Sequence, residues 1–124
     1  MKATRKAVGC PAELTLKIIA GRWKLLILRE LAVGGTRFGA LRRALTGVSE
    51  KVLTEHLREL ERDNIIIRKA YAEVPPKVEY FLTPAGTALK PIIEALHAWG
   101  LEHGQRAGTA ARSAADGMAQ SLRE

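Results

Sequence analysis

The hydrophobic period of this chain changes twice within residues 36–86, and this change restricts the fold more than any other feature. Helical spacing over residues 37–45 and 49–63 gives way to strand-like sequence at residues 65–71, which begins with three β-branched isoleucines. A pair of prolines then marks a turn, and residues 78–82 alternate as a second strand would. Two short helices followed by a β-hairpin predict a winged helix-turn-helix. The predicted fold class is therefore mainly α with a small β-hairpin (α+β).

Further helices are predicted before and after this segment. One begins near Pro11, because proline suits the first helical position, and another covers about residues 23–32. A long helix follows the hairpin, with Thr83 as its N-cap, Pro84 as its first residue and an apolar stripe that continues to Trp99. The winged segment is therefore expected to have flanking helices on both sides.

Three polar residues are predicted to mark helix ends inside the winged segment. Thr36 and Ser49 are predicted N-caps, because a side-chain oxygen at that position accepts a free backbone N–H. Asn64 is predicted to take a left-handed conformation where the helix over residues 49–63 stops. The connection at residues 46–48 has the length expected for the turn of a helix-turn-helix.

At 124 residues the chain is long enough for one domain with a modest core. We expect a flexible basic arm over residues 1–9 and the winged helix-turn-helix with its flanking helices over residues 10–103. A C-terminal tail over residues 104–124 is expected to be partly helical or disordered. No apolar run approaches the ~20 residues that cross a bilayer, and no apolar stretch follows the basic N-terminus. We therefore expect a cytoplasmic protein.

The positive charge is concentrated in the helical half of the chain. The formal net charge is +7, and residues 22–69 hold 11 lysines and arginines against 6 acidic residues. Localised positive charge suits a polyanion, since each neutralised phosphate releases counterions. The other interpretation is a solvated basic surface, which many proteins have.

The helix predicted over residues 49–63 is strongly amphipathic. Leu53, Leu57 and Leu60 fall on one stripe, and the opposite face is polar. Such a helix suits the major groove of DNA, although a solvated face with internal ion pairs would show the same pattern. The candidate groove and backbone contacts on this helix are Ser49, Lys51, Thr54, Glu55 and Arg58. The candidate phosphate contacts on the preceding helix and the wing are Arg37, Arg42, Arg43, Lys69 and Lys77.

Nothing in the sequence indicates catalysis or a bound cofactor. Glu94 and His97 are three residues apart and His103 follows, but three metal ligands on one ordered scaffold are not evident. No glycine-rich phosphate loop precedes a helix, and Ser49 has no partners that would make it a nucleophile. We therefore expect no metal, no cofactor and no enzymatic activity.

Several short motifs follow one another in a specific order over about residues 10–100. They are Cys10-Pro11, Gly21-Arg22-Trp23, Arg37-Phe38-Gly39-Ala40-Leu41, Val74-Pro75-Pro76-Lys77-Val78-Glu79-Tyr80, Leu82-Thr83-Pro84-Ala85-Gly86 and Trp99. With these motifs the chain resembles the HxlR-type transcriptional regulators, winged-helix DNA-binding proteins related to the MarR group. The one departure is Asn64, which stands where such proteins usually have glycine.

The resemblance implies a homodimer whose outer helices pack across a twofold axis and which binds a partly palindromic operator in double-stranded DNA. It implies repression by blocking polymerase, although activation also occurs in the resembled family. An apolar helix outside a small winged domain also needs a partner, which a second copy would supply. The predicted dimer-interface residues are Leu14, Ile18, Leu89, Ile92, Ile93, Leu96 and Trp99. The alternative function is a winged-helix module that docks protein without specific DNA binding.

Cys10 is the only cysteine of the chain. It precedes Pro11 at the predicted start of a helix and follows Arg5 and Lys6 closely, and both surroundings favour a reactive thiol. Some members of the resembled family sense quinones, aldehydes or oxidants through a cysteine at this place. Cys10 is therefore a candidate redox or electrophile sensor, and a small-molecule or electrophile inducer is a candidate partner. The other interpretation is a partly buried cysteine that acts as a small hydrophobe. With no second cysteine in the chain, only an intersubunit disulfide or a small thiol could resolve an oxidised Cys10.

Overall fold

The computed structural model describes residues 9–107, and these residues form five helices, one further helical turn and three short strands. In chain order the elements are α1 (Pro11–Ile19), α2 (Arg22–Leu31), β1 (Thr36–Arg37), α3 (Phe38–Ala44), α4 (Glu50–Arg62), β2 (Ile66–Tyr71), β3 (Lys77–Leu82), the one-turn α5 (Pro84–Thr87) and α6 (Lys90–Ala107). The predicted class, mainly α with a winged helix-turn-helix, is confirmed.

The chain divides into two compact units. The first ends at Lys90 and the second begins at Pro91. The first unit holds the winged helix-turn-helix, and the second holds the remainder of α6. The predicted basic arm lies outside the described residues except for Gly9. The helix α6 continues to Ala107, and the rest of the predicted tail also lies outside them. Among the described residues, no helix is both long enough and apolar enough to cross a membrane.

The core of the first unit is built mainly by aliphatic side chains of α2, α3 and α4. On α4 the three leucines predicted to face inward are at most 1% exposed. Burial of each such side chain contributes about 1.5–3 kcal/mol relative to exposure, so this stripe fixes which side of α4 remains in solvent. The core side chains of these helices and of the segment that follows α4 are Ile27, Leu28, Leu31, Leu41, Leu53, Leu57, Leu60, Ile65 and Ile66.

The wing is a three-stranded antiparallel sheet with the strand order β1-β3-β2. The two long strands pair as the hairpin prediction requires, and β1 adds to the free edge of β3 through the pair of Thr36 with Tyr80. The prediction that Thr36 caps a helix is wrong by one position, because its backbone is committed to this pairing. Arg37 occupies the N-cap of α3 instead, and the Thr36 hydroxyl donates to the carbonyl of Gly34 at 3.0 Å.

Alternate residues of the sheet face opposite sides. Ile66 is 2% exposed, whereas its neighbour Ile67 is 49% exposed. The inner face, defined here as the face that carries Ile66, therefore also carries Arg68 and Tyr80, which are direct cross-strand partners. The outer face carries the remaining, alternate side chains of the same strands.

A network of hydrogen bonds joins the end of β3 to the end of α4. Asn64 has φ 60°, which confirms the predicted left-handed position. The Thr83 backbone N–H donates to the carbonyl of Ile65 at 3.0 Å, and the Thr83 hydroxyl lies 2.7 Å from the carbonyl oxygen of Asn64. That hydroxyl also accepts the N–H of Gly86 at 3.0 Å, which confirms Thr83 as an N-cap. A side chain at Gly86 would overlap the Ile65 carbonyl oxygen, so this hydrogen-bond network requires glycine at that position.

The helix predicted to run without interruption from Pro84 to Trp99 is divided. The turn α5 ends at Thr87, and α6 begins at Lys90. Pro91 has no N–H to donate to the Thr87 carbonyl, and its ring crowds the preceding turn. The sequence therefore contained the signal for this break.

An ion cluster joins α2 to α4. The ammonium of Lys24, a residue only 9% exposed, lies 3.4 Å from Oε1 of Glu59, and Nδ1 of His56 lies 3.2 Å from the same oxygen. The hydrogen bond from His56 and then the interaction with Lys24 hold the pKa of Glu59 below its ordinary value. Burial of an ammonium is unfavourable unless a carboxylate accompanies it, so Glu59 allows Lys24 to lie in the core.

We expect Glu59→Gln to lower the free energy of unfolding near pH 7 by about 1 kcal/mol, because it leaves a buried ammonium without a negative charge. The effect is modest for a buried pair, since the Glu59 side chain is 43% exposed and water screens it. A carboxyl with a lowered folded-state pKa stabilises the fold above its ordinary pKa of 4.5. That stability is lost as the pH falls through the lowered value. Urea unfolding across this pH range should show the wild-type advantage shrinking in acid.

The control for this prediction is Glu61→Gln, which removes the same charge from α4 two residues further on. Among the described residues Glu61 makes no ion pair, so its replacement should leave unfolding nearly unchanged. Equal losses in the two variants, or a difference that stays constant with pH, would contradict the role assigned to Glu59.

Candidate nucleic-acid interface

The helix α4 begins with a side-chain cap. The Ser49 hydroxyl oxygen accepts the backbone N–H of Val52 at 3.1 Å, which confirms the predicted N-cap. The hydroxyl keeps its own proton, so it can still donate to an acceptor such as a phosphate oxygen. The predicted contact at Ser49 therefore lies at the end of α4 where anions are most favourably placed.

A charged stripe runs along α4 opposite the buried leucines. Lys51, Glu55, Arg58 and Arg62 recur at three- and four-residue spacing and are exposed, and Thr54 beside them is half-buried. The structure thus brings the α4 candidates together on one accessible helix face. Because the leucines hold the other face in the core, this stripe is the part of α4 that a groove could receive.

An open cleft of about 460 Å³ separates α4 from the inner face of the sheet. Glu50, Thr54, Arg58 and Glu61 line it from α4, and Arg68 lines it from β2. Two guanidinium groups and two carboxylates therefore share one open site. The cleft continues the charged stripe toward the wing, because Arg58 belongs to both.

The arginines near the start of α3 and at its end differ in their surroundings. Nη1 of Arg42 lies 3.5 Å from Oε2 of Glu50, so this candidate phosphate contact is paired with the first residue of α4. Both side chains are exposed, and a surface pair of this kind contributes little to stability. Arg37 and Arg43 are exposed and make no ion pair among the described residues.

The wing lysines gather around one aromatic ring on the outer face of the sheet. The Lys77 ammonium lies 4.5 Å and the Lys69 ammonium 5.3 Å from the ring centroid of Tyr71. Lys77 also lies 3.7 Å from a carboxylate oxygen of Glu79, and a hydrogen bond to Glu79 raises the pKa of the Tyr71 phenol. Lys77 is therefore half-buried and engaged within the protein, whereas Lys69 is exposed.

The structure separates the predicted wing contacts from the cleft. Arg37 and Lys69 share the outer face through Glu79, their common cross-strand partner, and Lys77 lies on the same face. The inner face presents Arg68, which the sequence analysis did not select. Its signal was its position two residues after Ile66, the residue with the least exposure on β2.

The predicted interface residues lie on the outer helices and before α6. Leu14 is exposed and Ile18 half-buried on α1, and Leu89 is buried in the turn that precedes α6. On α6 the side chains of Ile92, Leu96 and Trp99 are exposed at four- and three-residue spacing, whereas Ile93 on the same helix is buried. The single chain thus leaves apolar side chains of both helices open to solvent.

Cys10 is exposed at the N-cap position of α1. Its backbone N–H donates to Oε1 of Glu13 at 3.3 Å, so the charged group that the structure places beside it is a carboxylate. Arg5 and Lys6, the cations expected near the thiol, lie outside the described residues. Exposure contradicts the interpretation of Cys10 as a partly buried small hydrophobe.

Metal ligands were not expected from the sequence. Within residues 9–107 no group of three or more histidine, cysteine, aspartate or glutamate side chains could hold a metal ion.

Comparison with known proteins gives consistent similarities. The sequence profile of the family described as HxlR-like helix-turn-helix matches residues 18–107. YdeP of Bacillus subtilis (strain 168), an uncharacterized HTH-type transcriptional regulator, is 46% identical over 110 residues, which cover 87% of this chain and 86% of that protein. These similarities extend over most of the described fold.

Solved structures show the same relationship. A transcriptional regulator assigned to the MarR family from Porphyromonas gingivalis W83 has a TM-score of 0.72 and 42% identity, covering 76% of this chain and 92% of that chain. The redox regulator HypR in its reduced form has a TM-score of 0.73 and 41% identity, covering 76% and 93%. The fold and the sequence thus point to the same group of proteins.

Proposed function

The chain belongs to the HxlR-like helix-turn-helix family of transcriptional regulators, and we propose that it binds a partly palindromic operator in double-stranded DNA as a homodimeric repressor. The observation that carries this proposal is the exposed charged stripe on α4, which a buried leucine face holds in place. A helix with this division fits the major groove. Its action would take place in the cytoplasm, where operator DNA is accessible to it.

The side chains of the stripe divide by chemistry. Arg58 can pair with guanine or with the backbone, and Glu55 can accept from the amino group of cytosine. Ser49 and Lys51 lie toward the N-terminus of α4 and suit phosphate oxygens. Arg37, Arg43 and Lys69 would add backbone contacts, and Arg42 and Lys77 would do so after leaving their carboxylate partners.

The first test is fluorescence anisotropy of the full chain against duplexes of about 30 base pairs tiled from the DNA upstream of its own gene. We expect one tile to bind tightly in the presence of random-sequence competitor, with an affinity that falls steeply from about 50 to about 200 mM salt. Weak binding to all tiles, lost on addition of competitor, would favour the alternative of a module that docks protein.

We expect Arg58→Ala to weaken binding to the preferred tile by at least tenfold, since loss of a bidentate guanidinium contact, whether to a base or to the backbone, costs about 1–3 kcal/mol. The matched control is Arg29→Ala, which removes another exposed positive charge, from α2 and outside the proposed interface. Its affinity should stay within about twofold of the wild type, because a distant surface charge is screened by salt. Equal losses in the two variants would exclude α4 as the reading helix.

A homodimer is proposed because α1 and α6 expose apolar stripes and because two reading helices about 34 Å apart would match one turn of B-DNA. We expect sedimentation to show a dimer and Leu96→Glu to convert it to monomer, since a charge in an apolar interface is costly. The matched control is Leu101→Glu, which changes the same residue type at a position about 140° around α6 from Leu96. A wild-type monomer at micromolar concentration, or dissociation by both substitutions, would contradict the proposed interface.

Cys10 is proposed as a thiol sensor because it is exposed and because HypR, a relative of this fold, is described as a redox regulator. With diamide, two Cys10 thiols of a dimer, or one Cys10 and a small thiol, would lose two electrons and two protons in forming one disulfide. We expect oxidation to change operator affinity in the wild type and not in Cys10→Ser. A normal diamide response in Cys10→Ser would exclude this role.

A further inference from the structure

Arg68 is an exposed cation of the wing that none of the proposed contacts uses. It lies on the inner face of the sheet, two residues after buried Ile66 and directly across from buried Tyr80. These two residues anchor the inner face, so the backbone from which Arg68 projects is fixed relative to α4. The side chain itself is exposed and lines the cleft between α4 and the sheet.

Arg58 lines the same cleft from α4. Among residues 9–105, neither Arg58 nor Arg68 makes a hydrogen bond, an ion pair or a contact with an aromatic ring. This distinguishes them from Arg42 and Lys77, whose charged groups lie within 4 Å of carboxylates. The cleft therefore contains two guanidinium groups with unused donors.

The carboxylates of the cleft do not satisfy these donors. Glu50 is directed to Arg42, and Glu61 has no ion pair in the described part of the chain. Two like charges in one cleft repel each other, and an anion placed between them would turn that repulsion into attraction. A phosphodiester matches the planar donor fork of a guanidinium from either side.

We propose that Arg58 and Arg68 hold one phosphodiester of duplex DNA between them, on the strand that borders the groove entered by α4. This clamp rests on the proposed function and adds a wing residue to it. Arg68 contributes affinity that does not depend on base sequence, because a phosphate carries no sequence information. It also sets the lateral position of α4, since the shared phosphate is gripped from both the helix and the wing.

The test measures four variants, Arg68→Ala, Arg68→Lys, Arg58→Ala and the double alanine variant, with Arg29→Ala as the control of equal charge. Each full-length protein is titrated against the preferred tile and a random-sequence duplex from about 50 to about 200 mM salt. Thermal unfolding of each variant checks that the fold is unchanged. We expect the same unfolding midpoint for Arg68→Ala as for the wild type, because the side chain is exposed.

We expect Arg68→Ala to weaken binding to both duplexes by the same factor, about five- to tenfold at 0.1 M salt. The slope of log affinity against log salt should become shallower by about one. Arg68→Lys keeps the charge and should keep the slope. The double variant should lose less affinity than the product of the two single losses, because both side chains would grip one phosphate.

Three results would overturn the clamp while leaving the proposed function intact. They are an Arg68→Ala protein that behaves like Arg29→Ala, a loss confined to the preferred tile, and multiplicative losses in the double variant. Absence of binding by the wild type to any duplex would instead remove the proposed function and the clamp together.

Discussion

The burial of one leucine stripe on α4 is the constraint on which the rest of the interface depends. Leu53, Leu57 and Leu60 are almost fully buried, and together their burial contributes several kcal/mol. A rotation of α4 about its axis would expose them, so the orientation of the opposite face follows from the core. The charged stripe is therefore positioned by hydrophobic packing rather than by any contact of its own. Stability and the proposed recognition of DNA thus depend on the same helix.

Polar interactions refine this orientation on the two flanks of α4. On one flank, Lys24 reaches Glu59 from α2, and a buried ammonium tolerates little displacement of its carboxylate. On the other flank, the helix borders the open cleft, where Arg58 faces the wing without an internal partner. One side of the helix is thus closed by an ion pair, and the other is open to a ligand. Because of this asymmetry, a ligand can contact α4 and the wing together only on the side of the cleft.

The sequence predicted the features that depend on local chemistry. Ser49 and Thr83 cap helices as expected, Asn64 takes a left-handed conformation, and the leucines of α4 face inward. Each of these follows from a residue type at a given spacing. Side-chain alternation along β2 also relates Arg68 to the inward-facing Ile66, which lies two residues earlier.

Other features depend on contacts between distant parts of the chain. The two residues of β1 pair with β3 more than 40 positions later, and no local pattern marks so short a strand. Thr36 therefore pairs with β3 in the sheet and does not cap a helix. Lysine is a residue type that usually lies at the surface, but Lys24 lies in the core because the carboxylate of Glu59 accompanies its ammonium. The residues proposed to touch DNA remain predictions, since geometry alone does not identify a contact.

The ion pairs of the surface also determine how the cations can contribute to binding. In a count of net charge, all four cations contribute equally. In the structure, however, Arg42 and Lys77 have internal carboxylate partners, whereas Arg58 and Arg68 have none among the described residues. A phosphate must displace Glu50 or Glu79 to engage them. An exposed ion pair contributes about 0–1 kcal/mol, so breaking it reduces the favourable free energy of phosphate binding by up to that amount. Arg58 and Arg68 lose no partner when an anion arrives. Their full Coulomb interaction is available, and they would contribute more to affinity than the net charge of the chain suggests.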